Sequence, residues 1–400
     1  MPEGPNKLVE SGLPFFFELA NAKDVGIEPP ENRMGDSLRT WIRSLSVFQK
    51  EALVASSRTG KVWRLASDEG PYLNGHDSAP CPLAFLTTGM IASYMNEITA
   101  LAEQRNVAIR KLRLIQDNYY SMTGSMPKRT MVGGALPVEL TVEIDCDLPD
   151  GELNQFLMNA VDASPINGLM RGKLDSLFAL AKNGVELQPA KAKRISGEIY
   201  PDPSGDFDRA LPTPDPALDR PMWPQGVTPK KQVEGGTSAA GSSLADEQDR
   251  RLNIGGICTL REDGIKHITQ LQYSPHGTSF NLLSEEAPEN GGQGRAPDAN
   301  TYLSAGIAFC FMTQFGRFVK MLNLDLTDYK IIQDSHFSLG GASGKTGQAG
   351  RADPLETHVY LRTTESDDVA REMLDISEQT CFLHAFCRTD LKVKLRVERV

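Results

Sequence analysis

The stretch Ala296–Asp334, APDANTYLSAGIAFCFMTQFGRFVKMLNLDLTDYKIIQD, decides the fold, because its pattern has already occurred at Ala79–Asp117, APCPLAFLTTGMIASYMNEITALAEQRNVAIRKLRLIQD. The offsets agree at both ends, 334 − 117 = 217 and 296 − 79 = 217. In that register, without a gap, Ala79-Pro80 falls on Ala296-Pro297, Gly89 on Gly306, Met95 on Met312, and Ile115-Gln116-Asp117 on Ile332-Gln333-Asp334. The chain therefore reads as a tandem repeat of one domain. The register continues, laying Leu136-Pro137-Val138-Glu139 on Asp353-Pro354-Leu355-Glu356 and Ala163-Ser164-Pro165 on Thr380-Cys381-Phe382. What changes is as informative as what repeats: Cys310 stands opposite Ser93, and Cys381 opposite Ser164.

Working outward, Pro80 to Arg105 and Ala299 to Leu322 predict long buried helices, rich in Leu, Ala, Met and Ile. In the first of them proline occurs only at the start, where its missing N–H costs little. Strands are expected at Gly60–Leu65, Leu112–Tyr120 and Val138–Ile144, the last by its stricter alternation. Asp150 to Lys182 has helical periodicity broken at Ser164-Pro165, and Asp367 to Cys387 is its helical counterpart. In the second copy Arg251–Arg261, Ile265–Tyr273 and Thr278–Leu283 read as a meander, with later strands at Leu326–Asp334, Thr357–Thr363 and Leu391–Glu398. Near the N-terminus Leu38, Trp41, Ile42 and Leu45 are spaced i, i+3, i+4, i+7 and predict an amphipathic helix. Residues 196–246, with PDPSGDFDRALPTPDPALDRP and EGGTSAAGSS, read as a linker, extended where proline-rich and flexible where glycine-rich.

This order of elements argues α+β. The expected organisation is an N-terminal extension with the amphipathic helix over 1–60, a first repeat over 61–195, the linker over 196–246 and a second repeat over 247–400. A net charge of −10 and a pI near 5.3 offer no basic field for a phosphate backbone, which argues against nucleic acid. The start, MPEGPNKLVESGLPFFFELANAK, lacks a basic region leading into a long apolar run, and no stretch reaches the length of a membrane span. A cytoplasmic location is expected. The six cysteines, at 81, 146, 258, 310, 381 and 387, show no CxxC spacing, so neither a structural zinc site nor a disulfide scaffold is expected. No metal or cofactor signature appears. Gly340–Thr346 lacks the first glycine of a phosphate loop, Leu339 standing there, and reads as a flexible hairpin loop.

A proline-led long helix carrying Ala308-Phe309-Cys310-Phe311, then two strands, then a second helix with Thr380-Cys381-Phe382-Leu383, resembles the OsmC/Ohr family of organic hydroperoxide reductases. The likeness covers both repeats, roughly 61–190 and 251–400. It implies two central helices and two sheets, with one chain supplying both halves of what is usually an intertwined homodimer. It further implies Cys310 as peroxidatic and Cys381 as resolving cysteine, a small apolar organic substrate lying near Asn300, Phe311 and His384, and an external dithiol reductant. The family's glutamate, ten residues before the peroxidatic cysteine, is absent: Asn300 holds that position, and Leu83 its counterpart. Arg295, just before the helix, is the candidate positive partner for a thiolate.

Such chemistry needs one activated thiol and a second within disulfide reach, their Cα atoms about 4.4–6.8 Å apart. Cys310 and Cys381 lie 71 positions apart on different helices. Packing is the competing reading for each, since free cysteine is commonly buried. Cys81 offers another site: it stands at a helix start, where free N–H groups favour a thiolate, and His76 precedes it as a candidate base. His384, one turn after Cys381, is placed to tune that thiol. His336 and the repeated Asp117 and Asp334 are weaker candidates, the two aspartates fitting a structural turn or edge role. Three readings therefore stay open: a thiol peroxidase at Cys310 and Cys381, a cysteine hydrolase or lyase at Cys81 or Cys310, and a non-catalytic small-ligand binder. A homodimer of the two-repeat chain also stays open.

Overall fold

A computed structural model of the chain describes residues 2–233 and 242–400; most of the glycine- and serine-rich part of the expected linker lies outside the described residues. The main elements of the first repeat are β1 (Gly35–Ser46), β2 (Gln49–Ser56), β3 (Val62–Ser67), α1 (Pro82–Gln104), β4 (Ile109–Ser125), β5 (Val138–Cys146), α2 (Asp150–Ala163), α3 (Asn167–Arg171) and β6 (Leu177–Lys182). After β7 (Met222–Val227) the second repeat follows as β8 (Glu247–Leu260), β9 (Lys266–Ser274), β10 (Thr278–Ser284), α4 (Ala299–Leu322), β11 (Asp328–Ser338), β12 (Glu356–Arg362), α5 (Asp367–Thr380), α6 (Phe382–Arg388) and β13 (Val393–Arg399). The offset of 217 survives in the helices: α4 begins at 299 and α1 at 82, while α5 spans 367–380 and α2 150–163.

The two repeats interlock rather than forming separate lobes. One nine-stranded sheet runs β3-β2-β1-β11-β12-β6 through its long strands, so strands of the second repeat sit inside a sheet begun by the first. The other, eight-stranded, runs β7-β10-β9-β8-β4-β5-β13 and makes the reciprocal exchange. The repeats join at the antiparallel pairs β1–β11 and β8–β4 and again at the parallel pairs β12–β6 and β13–β5. At the first joint Arg39 clamps Asp334 through Nε and Nη2 at 2.8 and 2.7 Å. At the second, Asp117 accepts from Asn253 Nδ2 at 2.9 Å. The recurring aspartates thus lie within strands at the joints rather than in turns.

Helices α1 and α4 cross between the sheets at a pair of matched glycines. A Cβ on Gly89 would lie 2.6 Å from Ala299 O, and one on Gly306 would lie 2.8 Å from Phe85 Cβ. Each glycine therefore admits the first turn of the opposite helix. The principal core gathers around this crossing, with Phe85 and Phe309 rings 5.1 Å apart.

Four expectations are corrected. Asp36–Leu45 is strand, not helix: Leu38 and Ile42 point into the principal core, while Trp41 joins a second cluster on the outer face with Leu53, Phe207 and Ile332. Because N-terminal and linker residues cover that outer face, both sides of β1 are apolar, and the spacing imitates a helical stripe. Leu177–Lys182, read as the tail of a helix, is strand β6, parallel to β12. The described part of the linker is docked: Tyr200 stacks on His358 at 4.1 Å, and β7 pairs with β10. Likewise the loop read as a flexible hairpin is tied down, Ala342 N and Ser343 N donating to Glu97 Oε2 at 2.8 and 3.1 Å. Among the described residues no helix is long and apolar enough to cross a membrane.

Candidate active site

Cys310 lies in the middle of α4, one turn beyond the Gly306 crossing. Cys381 occupies the break between α5 and α6, where its extended backbone (φ −73°, ψ 118°) interrupts the helix. The break turns the Cys381 side chain onto α4, and its Sγ lies 3.5 Å from Cys310 Sγ. Both thiols are free and buried. At the equivalent place in the other half, Ser93 Oγ and Ser164 Oγ are 2.8 Å apart. One scaffold position thus holds a thiol pair in one half and a hydroxyl pair in the other.

A narrow cavity of about 30 Å³ opens beside Cys310. It is walled by the start of α1 (Cys81, Leu83), the turn before it (Glu69, Tyr72), β8 (Arg250, Ile254) and the α4 face carrying Thr313, Gln314 and Arg317. The interlocked topology sets this composition, because each wall of the Cys310 site comes from a different stretch of chain. It also relocates the positions ten residues before Cys310 and Ser93. Leu83, not Asn300, faces Cys310; Asn300 Nδ2 donates to the buried Asp36 at 2.8 Å in the other half.

Glu69 brings a carboxylate into the wall by another route. It accepts from Tyr72 OH at 2.6 Å and Thr313 Oγ1 at 2.8 Å, with Lys50 Nζ at 3.7 Å. Arg317 donates to Gln314 Oε1 at 2.8 Å and Ser243 O at 2.9 Å, and Arg250 donates to Ser243 Oγ. Burial dominates the electrostatics. It pushes the Arg250 guanidinium down to about 10 and, with Arg250 beside it, the Arg317 guanidinium down to about 9. Burial and the neighbouring Cys381 push the Cys310 thiol well up, with the nearby Leu383 N–H working in the other direction.

Several expected site residues lie elsewhere or act otherwise. Arg295 is not beside a thiol: Glu285 takes its guanidinium at 2.6 Å, with Asp263 also close, because the loop before α4 turns it outward. His76 faces Gly4 O at 3.2 Å and is not among the cavity residues, so no Cys81–His76 pair forms. Cys81 does line the cavity, yet burial and the Glu69 carboxylate raise its thiol, outweighing the N–H groups at the helix start. Phe311 points away from the cavity into an aromatic cluster with Phe178 and Phe315. His384 is wedged there too, edge-on to Phe311 at 4.8 Å. Among the described residues both its ring nitrogens lack a partner, and burial pushes the imidazole down to about 4, so it does not tune Cys381 by hydrogen bonding. His336 Nδ1 meets Ser37 Oγ at 2.8 Å across the β1–β11 joint.

Sequence reasoning missed Glu69, Arg250 and Arg317. Arg317 was within reach, since 310, 313/314 and 317 follow the i, i+3/i+4, i+7 rule and share one face of α4. Nothing local pointed to Arg250 or Glu69, which arrive through tertiary structure.

A family model described as OsmC-like protein matches residues 292–396. Among solved structures, the chain is similar to an OsmC-like hydroperoxide resistance protein from Jannaschia sp. CCS1, at 20% identity over 32% of this chain and 79% of that one, with a TM-score of 0.19. No curated protein matches the chain.

Proposed function

We propose, on the match of residues 292–396 to a family model described as OsmC-like protein, that the chain is a thiol peroxidase in which Cys310 reduces an organic hydroperoxide and Cys381 resolves the product. The observation that carries the reading is the 3.5 Å approach of the two thiols beside a cavity lined by Arg250 and Arg317. The Cys310 thiolate attacks the distal oxygen of R–O–O–H, forming Cys310–S–OH and an alkoxide. The alkoxide takes up the proton released when Cys310 ionises and leaves as R–OH. Cys381–SH then condenses with the sulfenic acid, forming the disulfide and water. An external dithiol restores both thiols by exchange and is itself oxidised. Burial holds Cys310 protonated, so its ionisation accompanies the arrival of polar substrate, with the two guanidiniums and the Leu383 N–H supporting the anion.

The test is to map the cysteines by mass spectrometry after about one equivalent of an organic hydroperoxide, the stoichiometry of one thiolate attack. A Cys310–Cys381 disulfide should appear in the unaltered chain, and Cys381→Ser should accumulate a Cys310 sulfenic acid trappable by a 1,3-diketone. Cys310→Ser should abolish turnover while Cys81→Ser retains it. Loss of activity in Cys81→Ser with Cys310 left reduced would move the chemistry to Cys81 and a hydrolytic substrate. If all three thiols stay reduced, the chain is not a peroxidase.

A further inference from the structure

The cavity beside Cys310 holds more positive charge than its own residues neutralise. Arg250 and Arg317 are 5% and 1% exposed, and among the described residues neither forms an ion pair. Among the described residues each keeps a buried Nε–H with no partner. Lys50, 1% exposed, adds a third cation nearby. The carboxylates opposing them are Glu69, already engaged by Tyr72, Thr313 and Lys50, and Asp68, engaged by Gln49 Nε2 and Ser78 N at 3.1 Å. Buried charges without an opposite charge are costly, and Arg250 beside it depresses the Arg317 guanidinium further. An anion seated between them would take up the orphan donors and relieve the repulsion, guanidinium groups being favoured partners of carboxylates. The mirror position in the other half has no such pair. The counterpart of Arg317 there is Ala100, since 317 − 217 = 100, and that of Arg250 is the half-exposed Arg33, paired with Glu356 at 2.6 Å.

We propose that Arg250 and Arg317 form a carboxylate subsite, so that the substrates of the Cys310 centre are short organic hydroperoxides bearing an acid group. The subsite binds the acid, and the narrow cavity must widen along the apolar wall of Leu83, Leu252 and Ile254 to admit the rest of the molecule toward Cys310. This rests on the peroxidase reading for its chemistry but not for its binding, and the two are separable.

Hexanoate and hexanol, which carry no peroxide, serve as probes on the unaltered chain at pH 8. Hexanoate should slow alkylation of Cys310 by N-ethylmaleimide about 5-fold or more, as competition at a charge-assisted site requires, whereas hexanol should not. In steady-state kinetics a C6 hydroperoxide with a terminal carboxylate should exceed its methyl ester by about 10-fold in kcat/KM, and Arg317→Met should erase the difference. Equal protection by hexanoate and hexanol, or none by either, overturns the subsite whatever the variant does, and turnover of neutral hydroperoxides would then leave the peroxidase reading standing. Protection by hexanoate alone with no hydroperoxide reduced would leave the subsite standing and remove the peroxidase.

Discussion

The site turns on single atoms exchanged between matched positions. Sulfur at 310 and 381 faces oxygen at 93 and 164, on the same backbone and with the same separation of 71 positions. The replacement Ser93→Cys with Ser164→Cys should therefore produce a second disulfide under peroxide or mild oxidant, detectable by mass mapping. Turnover per chain should nevertheless stay unchanged, because that half lacks counterparts of the buried Arg250–Arg317 pair. A doubling of turnover would show that the guanidiniums are dispensable. Cys310 carries its own pH signature. A raised thiol pKa leaves little thiolate at neutral pH, so its alkylation rate in the free protein should climb through pH 9 instead of reaching a plateau near 7. These cysteines and their serine counterparts were legible in the sequence, because repeat register compares residues without needing the fold. Arg295 was misassigned for the converse reason: closeness along the chain does not say which way a loop turns a side chain.

At the scale of elements, the α1–α4 crossing positions the thiol. Gly306→Ala would set a Cβ 2.8 Å from Phe85 Cβ and 3.0 Å from Leu86 N, and the helices must separate. Overpacking of this kind costs about 1–3 kcal/mol, to be read as a lower urea midpoint at constant m-value. Helix α6 contributes a pH dependence through His384, whose imidazole is pushed down from 6.5 to about 4 by burial. Between those values the unfolded chain binds the proton that the folded chain refuses, so stability is full above about pH 6.5 and falls as pH drops toward 4, by roughly 3 kcal/mol. His384→Leu should flatten that limb of the stability–pH curve; an unchanged limb would place its cause elsewhere, His358 being similarly depressed. The long helices and the alternating strands β5 and β9 were readable because they bury one face or are apolar throughout. Strand β1 was misread although the repeat contained the correction: Asp36–Leu45 falls, at 217, on residues 253–262, mostly within a stretch already read as strand.

Over the whole molecule, the two halves have diverged in charge. Around Cys310 the buried groups include two unpaired guanidiniums, whereas the other half buries Asp36, Asp298 and Glu286 close enough to influence one another. Burial and these neighbours raise the Asp298 carboxyl from 3.8 to about 7. The folded state therefore holds a proton that the unfolded chain loses, and stability falls as pH rises from about 4 to 7. Asp298→Asn, which keeps an acceptor for Thr301 N, should raise stability at pH 8 by roughly 4 kcal/mol and change little at pH 4. Thermal melts at the two pH values decide it, and an equal effect at both would mean that the carboxylate is not the cause. The repeat, the α+β class, the paired long helices and the two thiols follow from the sequence alone, since periodicity and register are properties of the chain. Only the tertiary structure decided that each repeat lends strands to the other's sheet. It thereby placed Leu83 rather than Asn300 beside Cys310, brought Glu69 and Arg250 into the same cavity and sent Arg295 and His76 away from it. The physical reason is that burial and pairing depend on distances between segments remote in sequence, which no local pattern encodes.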